Sequence, residues 1–213
     1  MKFLSIVCLS CLCLFSAFVP PVATAAEIPG LIATYNFPGI QGNIVKMMFY
    51  ADKYSETIGD NLVLFTEGNT FVRPEAGPDA GRSKELHAYG FTLMKSGTLR
   101  QDWQLKDFVY DCDVDITVEF QRNALQITDL DNDGTAETWM IYYLGCRGDV
   151  SPITMNLVMR DGFETYTMRG ETRVGTGRGD HVGGEYSLSE TFTSGPAEFT
   201  AFAKKLWEQY KDY

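Results

Sequence analysis

The stretch that most constrains this chain runs from Leu125 to Leu144 and reads LQITDLDNDGTAETWMIYYL. Apolar and β-branched residues lead in and lead out, and between them Asp129, Asp131, Asp133, Gly134 and Glu137 follow the order D-x-D-x-D-G-x-x-E. Carboxylates at every second position cannot all enter a core, because an unpaired buried charge is costly. They converge only if the backbone coils around a cation. A hard divalent ion taking about six to eight oxygen ligands suits this spacing, with Gly134 permitting the bend that turns the Thr135 carbonyl inward. Calcium is the expected ion, held by side-chain oxygens of Asp129, Asp131, Asp133 and Glu137 and by the carbonyl of Thr135. The alternative is a hairpin in which Asn132, Asp133 and Gly134 make a tight turn with solvated carboxylates and no metal.

An EF-hand is excluded, because its bidentate Glu would fall on Met140 and its loop would be flanked by helices. Here the flanks read as strands. Thr138 to Leu144 is apolar on both faces, with Trp139, Ile141 and Tyr143 on one and Met140, Tyr142 and Leu144 on the other, which predicts a central strand. Similar short runs recur along the chain: Ile44 to Tyr50, Asn61 to Thr66, Glu85 to Met94, Asp102 to Tyr110, Val114 to Phe120, Leu125 to Thr128, Ile153 to Met159 and Phe163 to Met168. Turn signals such as Gly59-Asp60, Ser96-Gly97 and Asp161-Gly162 separate them. The expected fold class is mainly β (α+β), an antiparallel sheet or sandwich of about eight to nine short strands. One amphipathic helix closes it, at about 196–210, with Ser194 as N-cap, Pro196 in the first turn and an apolar stripe of Phe199, Phe202, Ala203, Leu206, Trp207 and Tyr210. That stripe is expected to dock on the sheet. Gly175 to Gly184, with five glycines, is expected to be a mobile loop.

The amino terminus predicts export. Lys2, the apolar run Phe3 to Val19 and the small residues Ala23, Thr24 and Ala25 read as a signal peptide over residues 1–25, leaving 26–213 as a single β-rich domain. An uncleaved anchor is the competing reading, and no other segment is long and apolar enough to span a membrane. Cleavage removes one of the 18 basic residues and none of the 28 acidic ones, taking the formal net charge from −10 to about −11. Such a chain repels nucleic acid and anionic membrane surfaces, and no Lys/Arg cluster offsets this. Of the cysteines, Cys8, Cys11 and Cys13 leave with the signal, and Cys112 and Cys146 stay. Two cysteines in an exported chain are expected to pair, for about 3 to 4 kcal/mol, with free core thiols as the alternative.

Signals for catalysis are thin. His87 and His181 are the only histidines and neither lies in a zinc-ligand spacing. No G-x-S-x-G elbow occurs. Asp111, Asp113, Asp115, Glu119 and Asp149 remain as carboxylates for glycoside hydrolysis, since such pairs are made by the fold. The first three alternate along a strand, which favours a solvated face or the neighbourhood of the metal. Asp149 is also a candidate further ligand or supporting partner of the metal.

KELHAYGF (Lys84 to Phe91), KDFVYDCDVDI (Lys106 to Ile116), ITDLDNDGTAETWMIY (Ile127 to Tyr142), CRGDVSP (Cys146 to Pro152) and MRG (Met168 to Gly170) together resemble a family of small exported bacterial proteins labelled surface-polysaccharide-biosynthesis proteins. The acidic loop is similar to the calcium loops of FG-GAP-type repeats, present here once. The resemblance implies an association with the cell envelope and its glycans, and carries no catalytic residues. The expected function is therefore that of an exported, periplasmic or secreted, calcium-binding and noncatalytic domain that binds a surface glycan or an envelope protein, as a monomer. A hydrolase or transferase acting on surface polysaccharide is one alternative, and a purely structural envelope protein is another.

Overall fold

The computed structural model describes residues 39–50, 59–77, 79–177 and 179–213. The signal-peptide expectation for residues 1–25 lies outside the described residues.

The first sheet is antiparallel, with β1 (Asn43–Tyr50), β2 (Gly59–Glu67), β3 (Arg82–Met94) and β4 (Leu99–Cys112) in the order β1-β2-β3-β4. The second contains β5 (Asp115–Phe120), β6 (Gln126–Thr128), β7 (Glu137–Arg147), β8 (Thr154–Asp161), β9 (Glu164–Glu171) and β12 (Tyr186–Leu188). Its order is β12-β9-β8-β7-β5, with β6 also pairing with β7. All nine expected strands are present. The alternation that predicted them is what assembles the layers.

In β7, Met140 and Tyr142 meet Phe65, Leu86 and Ala88 of the first sheet in the core between the sheets. On the opposite face, Trp139, Ile141 and Tyr143 pack with Phe192, Phe199, Ala203, Leu206 and Trp207 from the helices. The two faces foreseen for Thr138 to Leu144 are thus the two cores. The molecule is layered as sheet, sheet, helix. Among the described residues no helix is long and apolar enough to cross a membrane.

Three short strands and one helix were not foreseen. The glycine-rich stretch expected as a loop is the loop of a small ribbon whose strands are β10 (Arg173–Gly175) and β11 (His181–Gly183), and β12 extends the second sheet. Each spans three residues, too few for period-two alternation to register. The helical region is split into α1 (Glu190–Ser194) and α2 (Ala197–Tyr210), so Ser194 ends a short helix instead of capping the long one. Pro196 causes the break, because it disfavours helical backbone at the residue before it, Gly195. The expected stripe is otherwise in place, with Phe199, Ala203, Leu206 and Trp207 buried and Phe202 and Tyr210 packed at its margin.

Cys112 and Cys146 are disulfide-bonded, with Cα atoms 5.6 Å apart. The bridge joins the last residue of β4 to the carboxyl-terminal end of β7, and so ties one sheet to the other. On the loop-closure model, replacing both cysteines by serine should lower unfolding stability by about 3 to 4 kcal/mol, read as a lower urea midpoint with a steeper slope, because the unbridged denatured chain exposes more surface. An unchanged midpoint would show that the packed cores alone hold the sheets together.

Candidate metal centre

The acidic loop connects two strands that pair with each other. Gln126, Ile127 and Thr128 of β6 lie opposite Trp139, Thr138 and Glu137 of β7, so residues 129–136 close a hairpin. Gly134 has φ 90° and Asn132 φ 58°, and this left-handed backbone curls the loop back on itself. The Asp131 carboxylate accepts the N–H of Asp133 at 3.2 Å, and the Asp133 carboxylate accepts that of Thr135 at 2.6 Å. Local side-chain bonds of this kind shape a turn before any ligand is considered.

Glu137 is fully buried. Its carboxylate accepts the N–H of Leu130 at 3.0 Å and the hydroxyl of Thr128. That hydroxyl in turn accepts the indole N–H of Trp139 at 2.7 Å. A buried polar group costs little when so bonded. This relay ties the loop to the helix-facing core, where Trp139 packs edge-on against Phe199 and Phe202.

One carboxylate oxygen from each of Asp129, Asp131 and Glu137 can be chosen such that all lie within 4.8 Å of one another. Asp133 stands outside that group and is exposed. A carboxylate the sequence did not single out joins the neighbourhood. Asp161, the last residue of β8, lies opposite Glu137 in the strand register. Burial pushes the Asp161 carboxyl up to about 6, and the charges of Asp133, Asp131, Glu164 and Asp129 add to the shift. Burial likewise pushes Glu137 up to about 7, against its bonds from Thr128 and Leu130 and with help from Asp131 and Asp161. Among the described residues, no Lys, Arg or His forms an ion pair with Asp129, Asp131, Asp133, Glu137 or Asp161. The donor set is all oxygen, which suits a hard cation such as calcium or magnesium. Asp161 was legible only through pairing: its Asp-Gly turn marks a hairpin, but nothing local reveals that the hairpin returns beside Glu137.

The other carboxylates weighed for chemistry are dispersed. Asp111 pairs with Arg73, Asp115 lies 3.9 Å from Arg82, Glu119 accepts the Tyr213 hydroxyl at 3.1 Å, and Asp113 is exposed. Asp149 accepts the N–H of Ser151 at 2.9 Å, beyond the end of β7 opposite to the acidic loop. At about 3.3 Å per residue, that places it roughly 30 Å away, too far to support the metal. His87 is buried beside Glu85, and His181 lies on the β10–β11 ribbon. Searches against family models, curated proteins and solved structures return no match for this chain.

The raised carboxyls set a pH dependence. A group whose folded pKa is raised binds its proton more tightly in the folded state, so its contribution is full below the unfolded pKa and is lost as pH rises through the folded one. For Glu137 the window runs from its ordinary 4.5 to about 7. In chelator, the urea midpoint should therefore fall as pH rises across that window, and Glu137→Gln, which keeps an acceptor for Leu130, should flatten the fall. A midpoint that climbs across the window in wild type would contradict the assignment.

Proposed function

We propose that this chain is an exported, calcium-binding, noncatalytic domain of the cell envelope that binds a surface glycan or an envelope protein in surface polysaccharide biogenesis. The observation that carries the reading is the convergence of Asp129, Asp131 and Glu137 within 4.8 Å, next to Asp161 and with no ion-paired cationic side chain among the described residues. Like charges held this close favour whatever neutralises them, and a divalent cation does so while supplying the loop with a centre. Asp133 and the Thr135 carbonyl are the further oxygens that the loop would turn toward the ion. Calcium in extracellular modules binds at about 0.1 to 1 mM, so the site would fill where calcium is abundant.

Export is supported by the Cys112–Cys146 disulfide, since such bonds persist in oxidising compartments, and by the signal-like amino terminus. The envelope and glycan assignment rests on the resemblance to the exported polysaccharide-biosynthesis family. The strongly acidic balance argues against nucleic acid as a partner.

Thermal unfolding of residues 26–213 in calcium, in magnesium and in chelator tests the metal. At 100 times its dissociation constant, a ligand of the folded state adds about 2.7 kcal/mol, which moves the midpoint by several degrees. The rise should be specific to calcium and absent when Asp131→Asn and Asp133→Asn are combined. Equal midpoints in calcium and chelator would reduce the loop to an ordinary acidic turn.

A further inference from the structure

The two sheets part at the end of the sandwich that carries the acidic loop, leaving a cleft of about 160 Å³. One wall comes from the first sheet and includes Thr92, Arg100, Asp102 and Trp103. The other comes from the second sheet: Thr135 and Ala136 at the end of the acidic loop, Arg160, and Gly162 with Phe163 in the β8–β9 turn. We propose that this cleft binds one neutral pyranose ring, the terminal sugar of a glycan chain.

Size comes first. The cleft is smaller than the roughly 300 Å³ at which pockets begin to enclose drug-sized ligands, so it takes a single ring and not a length of chain. Its polar groups are arranged for hydroxyls. Asp102 accepts from Nε of Arg100 at 2.7 Å and from the Thr92 hydroxyl at 2.7 Å. A carboxylate and a guanidinium fixed side by side present an acceptor next to donors, which matches neighbouring hydroxyls that each donate and accept. The pair is half closed to solvent, with the Asp102 side chain 20% exposed and that of Arg100 54%. Its position is set by an irregularity: the β3–β4 register shifts between Gly90 and Phe91, and Asp102 is the extra residue on β4.

Aromatic groups provide the apolar side of the site. A side chain at Gly90 would place its Cβ 2.1 Å from Nε1 of Trp103, so the glycine is what lets the indole settle onto β3 at the cleft wall. The Arg160 guanidinium stands over that ring at 5.5 Å and orients it. On the opposite rim, Phe163 is 89% exposed at the tip of a hairpin. A lone exposed phenylalanine needs no explanation. On the rim of a polar cleft it is a surface on which the C–H face of a sugar can stack.

Charge selects a neutral ligand. Arg100 is met by Asp102 within the cleft and Arg160 by the charge of Glu164, and the second wall itself is built from Thr135 and Ala136 of the acidic loop and Gly162 beside Asp161. A uronate would have to displace Asp102 from Arg100 and approach the acidic loop, whereas an uncharged ring does neither. Because Thr135, Ala136, Gly162 and Phe163 belong to the segments that carry Glu137 and Asp161, a cation that orders the loop also orders this wall. That coupling, though not the cleft itself, rests on the calcium reading above, and it is reciprocal: the sugar strengthens calcium as calcium strengthens the sugar.

The test is titration of the 26–213 protein with the methyl glycosides of glucose, galactose, mannose and N-acetylglucosamine, and with methyl glucuronide. Saturation-transfer NMR and calorimetry give the readout, in calcium and in chelator, with the thermal midpoint followed on the same samples. At least one neutral glycoside should saturate at about 1 mM, the scale for a ligand of so few atoms. Phe163→Ser, at a position too exposed to affect folding, should weaken it about fivefold, and Asp102→Asn by at least as much. Val150→Ser, also highly exposed but beyond the far end of β7, should leave it unchanged. Absence of saturation by every neutral glycoside, or saturation by the glucuronide alone, would overturn the proposal. A calcium-dependent midpoint would survive that result and leave the metal reading standing. Sugar affinity equal in calcium and chelator, where calcium does raise the midpoint, would overturn the coupling.

Discussion

Over its first seven residues strand β7 has no solvent face. From Glu137 to Tyr143 every residue is buried, so both sides of the strand must be covered by other elements. Full burial of one large apolar side chain is worth about 1.5 to 3 kcal/mol, and the five adjacent buried side chains from Trp139 to Tyr143 make this strand the centre of gravity of the fold. Covering one face requires the first sheet; covering the other requires the helices. Trp139 adds a polar condition, because a buried indole N–H needs an acceptor. It finds the hydroxyl of Thr128 on the neighbouring strand, and that hydroxyl donates its own hydrogen bond to Glu137. Packing in the helix-side core thereby fixes the first carboxylate of the site.

The same strand makes an electrostatic difficulty. Its first residue is an acid, and the hairpin register places Asp129 and Asp131 near it on one side and Asp161 on the other. Two unit charges about 4.8 Å apart repel by roughly 3 kcal/mol at an effective dielectric near 20. A proton on Glu137 relieves this in part; burial is the main cause of its rise to about 7, and the charges of Asp131 and Asp161 add to it. A divalent cation would relieve it further and displace that proton. On the proposed reading the two compete near neutral pH, and calcium uptake releases protons.

The sheets were legible because period-two alternation survives wherever a strand is long enough and faces a core on at least one side. Trp139 to Leu144 is the clearest case, since its two apolar sets became two separate cores. Residues 173–175, 181–183 and 186–188 were not legible: three residues carry no period, and their glycines point toward loops. The long helix was placed by its stripe and starts within one residue of the expected 196, but its cap was misassigned, because Ser194 closes a short preceding helix that the sequence reading did not include. At the site, Asp129, Asp131 and Glu137 could be found because they are close in sequence. Asp161 could not, being 24 residues beyond Glu137 and brought back by strand pairing alone. The cleft is further still from local pattern, assembled from the ends of strands in both sheets.

The two ends of β7 are held by different means. Near Cys146 a covalent bond joins the second sheet to the first, and it survives any local change of charge. Some nine residues earlier in the strand, roughly 30 Å away, Glu137 and its neighbours are held by hydrogen bonds within a group of like charges. The acidic end differs in carrying buried carboxyls, Glu137 and Asp161, whose charge state changes how firmly it is held. A cation there would do for the second end what the disulfide does for the first, but reversibly and in proportion to its concentration. That difference matters because the cleft walls belong to the reversible end. A site built on the disulfide end would have one fixed shape, whereas on the proposed reading a site beside the acidic loop would take its order from the cation that neutralises the carboxylates.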